Sequence, residues 1–285
     1  MPTITLCAFA DEASADFEGQ IEALVRNRVP YLEIRGVNGK SVRHLTLEQA
    51  KECKRALDEK GLAVWSIGSA VGKSDIDTPF SETEAMLRHI CELARVFRTD
   101  KVRMFSFYKA ADSREEVLGR LRRMVEIARE YGVSLYHENE KDIYGDIADR
   151  VEDVMDNVEG LCHVYDPANF LQVGEPADET LRRFHRRADY FHIKDVIAET
   201  GELVPAGYGD GMIDRLVADV TGDKVLTVEP HLAVFDGYAQ FDDAEMKHRF
   251  HFTSNGEAFD AAVDAIRSVI LSAGYAEEDW RFVKA

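Results

Sequence analysis

The chain has no excess of positive charge, no long apolar run, no paired cysteines and no glycine-rich loop after its first strand-like segment. Each absence excludes something. Lys and Arg number 35 against 53 Asp and Glu, a formal net charge of −18. A phosphate backbone or an anionic membrane surface would be repelled, so neither nucleic acid nor a membrane is an expected partner. The longest stretch without a charged residue, 61–72, has twelve residues and is too short to span a bilayer. The four cysteines, at 7, 53, 91 and 162, form no CxxC pair and have no partnered histidine spacing. That excludes a disulfide framework and a thiolate zinc site, and reduced thiols are expected. The first basic residue is Arg26, so no positively charged segment precedes an apolar one. No secretory leader is expected, and the cytoplasm is the expected compartment. No Pro/Ser-rich linker, low-complexity tract or composition shift marks a boundary, so residues 1–285 read as one domain.

What is present is a repeat. With 45% apolar residues the chain can bury a large core. Short β-branched or aromatic runs predict strands over 4–10, 31–36, 63–69, 101–108, 134–140, 161–166, 190–196 and 225–231. Runs with apolar residues at 3–4 spacing predict helices near 16–28, 46–60, 81–98, 114–131, 147–158, 178–188, 211–221 and 256–273. Thr46 with Glu48, and Ser81 with Glu84, place a hydroxyl cap and acids at helix starts. Gly61, Gly132 and Gly274 close helices. Eight strands alternating with eight helices are the count of a single (β/α)8 TIM barrel. A doubly wound open sheet is the weaker alternative, because Ala10-Asp11-Glu12-Ala13-Ser14 follows the first strand where a nucleotide fold needs a phosphate-binding glycine loop.

In such a barrel the active site lies at the C-terminal ends of the strands. The last four strand ends read His137-Glu138-Asn139-Glu140, Val164-Tyr165-Asp166-Pro167, His192-Ile193-Lys194-Asp195 and Thr227-Val228-Glu229-Pro230-His231. Alternation along a strand lets Glu138, Asp166, His192 and Glu229 share the interior face. Three carboxylates converging there would repel strongly at low dielectric unless a divalent cation joined them. Three carboxylate oxygens and an imidazole suit one Mn²⁺, Mg²⁺, Co²⁺ or Fe²⁺ ion, with Zn²⁺ also admissible.

The HENE run, the DPANF turn, the FHIKD strand and the VEP ending resemble the sugar phosphate isomerase/epimerase group of the xylose-isomerase-like TIM-barrel superfamily. That superfamily includes ketose 3-epimerases, inosose dehydratases and endonuclease IV. The resemblance implies a metal held by Glu138, Asp166, His192 and Glu229. It also implies an isomerase or epimerase working through a metal-bound enediolate, with Glu138 and Glu229 exchanging protons from opposite sides of a small carbohydrate. Epimerase relatives often carry a His three positions after the metal Asp, where this chain has Asn169.

Further candidates surround these four. Glu33 and Arg35 end the second strand, and Glu33 is read as a substrate contact or as half of a rim ion pair. Lys73, on a glycine-containing loop, is read as a contact for a substrate hydroxyl, carboxylate or phosphate or as a solvated loop lysine, and Lys194, on the face of His192, as an electrophile or a hydrogen-bond donor to the substrate. Lys194 is equally suited to balance a metal carboxylate. Asn169, His231, and Asn139 with Glu140 are expected at the mouth. Arg103, if interior, needs an acid partner. Asp195 is read as an orienting group or a loop cap. His137 and His163 have the wrong parity for the site. Gly207, Gly209 and Gly211 sit where barrels bind phosphate, but Asp210 among them favours a tight turn instead. Trp65, Phe105, Phe107 and Tyr108 form a sugar-facing wall or core. The 277–285 tail, with Trp280 and Phe282, packs across the barrel or onto a partner. A dehydratase or lyase on a keto-sugar or keto-inositol uses the same residues, and a non-catalytic sugar- or metal-binding barrel is the third reading. Phosphodiester hydrolysis of the endonuclease IV type fits poorly, for want of further histidines and a basic groove. The oligomeric state is open, a homo-oligomer included.

Overall fold

Each predicted strand pairs in parallel with the next, and the eighth returns to the first. The computed structural model describes residues 1–234 and 247–284. Its strands are β1 (Thr3–Ala8), β2 (Tyr31–Ile34), β3 (Ala63–Gly68), β4 (Lys101–Met104), β5 (Ser134–Glu138), β6 (Cys162–Tyr165), β7 (Tyr190–Ile193) and β8 (Asp223–Val228). β8 closes the cylinder on β1 in a register running from Thr3↔Asp223 to Ala8↔Val228. This is a TIM barrel. Between the strands run α1 (Phe17–Arg26), α2 (Leu47–Glu59), α3 (Phe80–Phe97), α4 (Arg114–Glu130) and α5 (Ala148–Asn157). They are followed by α6 (Pro167–Gln172), α7 (Ala177–Phe184), α8 (Ile213–Ala218) and α9 (Asn255–Ser272). No helix among the described residues is long and apolar enough to cross a membrane. All four cysteines are free thiols.

Local chemistry explains most boundaries. Thr46 accepts from the Gln49 amide and Gln49 Oε1 accepts from the Thr46 amide, a reciprocal cap on α2 whose acidic neighbour Glu48 sits in the first turn. The Ser81 cap expected for α3 does not form: that helix starts at Phe80 behind Pro79, with no side-chain cap. Gly61, Gly132 and Gly274 all follow helices with positive φ. The short helix α6 goes beyond the sequence pattern. Asp166 caps it, accepting from the Ala168 and Asn169 amides at 2.8 and 3.1 Å, with Pro167 at the first position, where a missing N–H costs nothing.

The strands end earlier than their sequence pattern. β4 stops at Met104, β5 at Glu138, β7 at Ile193 and β8 at Val228. The polar residues beyond them belong to loops, which is how they reach the mouth. Inside the cylinder, Cys7, Tyr136, Val164, Tyr190 and Val225 pack with Tyr31, Trp65 and Cys162. Tyr190 lies 5.5 Å from Tyr136 and 6.1 Å from Trp65, ring to ring. Trp65 is therefore part of this interior layer, and Phe105 and Phe107 are fully buried. The tail forms a hairpin, β9 (Tyr275–Glu278) and β10 (Arg281–Lys284), that pairs antiparallel with the start of β1. Phe282 is buried there and Trp280 packs against the core.

Candidate metal centre and active site

Four strand ends converge on one point. Glu138 is the last residue of β5, and His192 lies within β7. Asp166 and Glu229 follow β6 and β8 directly. One ligand atom from each lies within 4.8 Å of the others, and all four residues are buried. His192 Nδ1 is 2.8 Å from Glu138 Oε1 and 3.0 Å from Glu229 Oε2. The α6 cap consumes Asp166 Oδ1, leaving Oδ2 for the centre. Asp166 Oδ2 faces the Lys194 ammonium at 3.0 Å and Glu229 Oε2 faces His192 Nδ1 at 3.0 Å, so both buried oxygens turn toward the centre. Buried carboxylates brought this close are costly unless a cation satisfies them. The donor set fits a divalent ion on chemistry as well as spacing.

A layer of charged residues orients these groups. Glu33 was expected at the substrate or in a rim pair with Arg35. It lies fully buried beneath His192 and accepts from Tyr190 Oη at 3.0 Å and Thr227 Oγ1 at 3.0 Å. His192 Nε2 is 3.2 Å from Glu33 Oε2, so with a cation in the centre Nε2–H would donate to Glu33 and Nδ1 would turn its lone pair to the ion. Arg103 is interior, as its acid partners require, with Nε 3.3 Å from Glu138 Oε2 and 3.9 Å from Glu33 Oε1. Arg35, read from the sequence with Glu33 as near the substrate or in a rim ion pair, is a hub whose acid partners the sequence did not reveal. It donates to both oxygens of Asp11, to Glu12 at 3.2 Å, and to Glu229 Oε1 at 2.9 Å. Its guanidinium lies 4.2 Å from the Phe9 ring centroid. The available signal is the acidic Asp11-Glu12 pair directly after the first strand, which in the sequence speaks only against phosphate. Gly68 makes room for this packing: a Cβ there would come 2.6 Å from the Phe9 ring and 3.2 Å from Arg103 Nη2.

Around the mouth, Lys194 Nζ lies 3.0 Å from Asp166 Oδ2 and Lys73 Nζ 2.9 Å from Glu140 Oε2. Burial opposes the charge on Lys194, yet Asp166, Glu229 and Glu140 hold its ammonium well above the usual lysine range. Burial pushes the Asp166 carboxyl up to about 6 against the pull of Lys194, with Glu138 and Glu229 adding to the rise. Glu229 moves the other way: Lys194 and His192 outweigh burial and hold it well below the usual carboxylate range. Asn169 donates to the Asn139 carbonyl at 2.9 Å, and its Oδ1 is buried with no hydrogen bond among the described residues. Asn139 brackets the Asp166 backbone with two hydrogen bonds, which fixes the ligand's approach. His231 holds a left-handed backbone (φ 47°) and donates its amide to Glu12 Oε2 at 2.8 Å. Its Nε2 is 3.4 Å from Glu12 Oε1 and 3.5 Å from Glu229 Oε1.

Asp195 is a loop organiser. It accepts from the amides of Val196, Gly207, Gly209 and Gly211 at 2.9–3.0 Å. His137 and His163 lie outside the centre. His137 Nε2 is 2.9 Å from Ser106 Oγ, and the His163 ring lies 6.1 Å from that of His137.

A family model described as xylose isomerase-like TIM barrel matches residues 30–269. No curated protein matches the chain. Among solved structures, the IOLI protein with a bound zinc atom is 15% identical, with 94% of this chain and 99% of that one covered at a TM-score of 0.71. D-psicose 3-epimerase from Clostridium cellulolyticum H10, determined with D-tagatose, is 13% identical over 93% and 99% at 0.70. The probable 3-DHS dehydratase AsbF from Bacillus anthracis is 15% identical over 93% and 98% at 0.68. At these identities the likeness is one of fold.

Proposed function

Because the chain belongs to the xylose isomerase-like TIM barrel family, we propose that it is a divalent-metal-dependent isomerase or epimerase of a sugar or sugar derivative. The observation that carries this reading is the convergence of Glu138, Asp166, His192 and Glu229, all buried, with one ligand atom of each within 4.8 Å of the others. These four would hold the ion, Mn²⁺, Mg²⁺, Co²⁺ or Zn²⁺, which as a Lewis acid supplies stabilisation of the negative charge that develops on substrate oxygens.

The chain's own residues do the rest. Glu138 and Glu229 enter from different strands, and one removes the proton beside the substrate carbonyl while the other returns it. Arg103 and Arg35 lie against the outer oxygen of each glutamate, so each carboxylate presents one oxygen to the centre. Glu33 fixes the His192 tautomer. Lys194, Lys73, Asn169 and His231 contact substrate hydroxyls at the mouth. The buried walls exclude water from the charge that develops. The fold likeness to a 3-epimerase is consistent with this chemistry.

A lyase acting on a keto-sugar or keto-inositol is the second reading: the same proton removal beside the carbonyl can be followed by loss of a neighbouring hydroxyl, and a probable dehydratase shares the fold.

The test is chelation followed by reloading. Stripped protein is expected to lose at least 100-fold in solvent-deuterium exchange into its ketose on the scale set by metal catalysis (roughly several kcal/mol), to keep its circular dichroism, and to recover with Mn²⁺. Full exchange by verified metal-free protein would sink the reading. Exchange without product dehydration separates isomerase from lyase.

A further inference from the structure

We propose that the substrate of this site is uncharged: a free keto-sugar or keto-polyol, neither a phosphate ester nor a sugar acid. The inference rests on the sugar-isomerase reading and deepens it.

Barrels commonly bind phosphate on backbone amides of the loops after their last two strands. Here the loop after β7 has given those amides to the chain's own anion. The Asp195 carboxylate accepts from Gly207, Gly209 and Gly211, and the Val196 amide completes the set. Gly209 and Gly211 are glycine because the carboxylate leaves no room for a side chain: a Cβ at Gly211 would come 2.8 Å from Asp195 Oδ1. A phosphate would have to displace a built-in carboxylate from its own cradle.

The cations at the mouth are likewise engaged. Lys73 lies against Glu140, Lys194 against Asp166, Arg103 against Glu138, and Arg35 against Asp11, Glu12 and Glu229. With Glu33 counted, seven carboxylates face four ammonium and guanidinium groups. A divalent cation brings that formal balance from −3 only to −1.

One polar atom points the same way. Asn169 Oδ1 is buried with no hydrogen bond among the described residues. A hydroxyl can donate to it, whereas an ionised phosphate or carboxylate brings only further acceptors.

The experiment uses the full-length, Mn²⁺-loaded protein and matched sets of pentuloses and hexuloses. Each free ketose is paired with its terminal phosphate ester and its terminal carboxylate, and deuterium incorporation beside the carbonyl is followed by NMR. The free ketose is expected to exceed both charged forms in kcat/KM by roughly 100-fold or more, the scale of one unmatched like charge a few ångströms away at an effective dielectric near 20. Inorganic phosphate at millimolar concentration is expected not to inhibit. Exchange confined to the phosphate esters or acids would overturn the uncharged-substrate inference and leave the isomerase reading standing. Exchange with no member of any set would overturn the isomerase reading, and this inference with it.

Discussion

Glu33 has no path to solvent, and all its partners are donors: Tyr190, Thr227 and the Nε2–H of His192. Its negative charge makes the imidazole a stronger donor of electrons through Nδ1. Glu33→Gln keeps the shape and removes the charge. Metal affinity measured by titration calorimetry is expected to fall about 10- to 100-fold, the usual effect of losing such a partner, with circular dichroism unchanged. Unaltered affinity would show that Glu33 only fills space. The four converging residues were legible because each stands at a strand end with a side chain of the right chemistry. Glu33 was visible as a residue, but its role was not. A strand pattern fixes the face a side chain shares, whereas depth along the barrel axis depends on strand tilt and register, here including the irregularity between Leu32 and Glu33. The partners of Arg35 escaped for a related reason. Asp11 and Glu12 follow the neighbouring strand β1, and Glu229 joins them from 194 residues away because β8 closes on β1.

At the scale of elements, all eight strands were legible from β-branched and aromatic runs, and their ends were not. An apolar or aromatic residue such as Phe105 or Phe107 continues a strand pattern whether or not its backbone is paired, yet β4 stops at Met104. Phe107 has φ 70°, outside any strand. The loop after β7 shows what sets such a segment when pairing does not: one carboxylate and three glycine amides. At Gly209 the added methyl of alanine would press on Asp195 Oδ1 and come 2.6 Å from the Val196 carbonyl oxygen. Gly209→Ala is therefore expected to cost about 1–3 kcal/mol by overpacking, read as a lower urea midpoint. Gly119, within α4, is the control: a Cβ there would meet nothing within 4 Å, and its backbone is helical. Gly119→Ala is expected to raise stability by up to about 1 kcal/mol through helix propensity. If both substitutions moved stability in the same direction, the carboxylate cradle would not be what constrains the loop.

For the molecule as a whole, the distinctive feature outside the centre is the pair of histidines buried behind β5 and β6. Burial pushes both imidazoles down to about 3, and for His163 the neighbouring His137 adds to the fall. The consequence for stability follows from the direction. Above the unfolded-chain value of about 6.5 both states are neutral, and His163 contributes nothing to pH dependence. As pH falls below that value the unfolded chain binds a proton that the folded barrel refuses, so stability is lost progressively toward pH 3. The slope contributed by one such histidine approaches about 1.4 kcal/mol per pH unit once the unfolded form is protonated. His163→Phe, which keeps a planar ring in the outer apolar layer, is expected to flatten the urea-derived stability profile between about pH 6 and pH 4 by that amount. Stability near pH 8 should shift by a constant offset, since neither side chain titrates there. The acidic centre provides the contrast. Asp166, raised to about 6, binds its proton more readily folded than unfolded, so that carboxyl favours the barrel as pH falls through this window. A parallel His163→Phe profile, lowered uniformly with no change of slope, would mean that the buried imidazole takes up its proton in the folded state, and that the barrel wall there admits water.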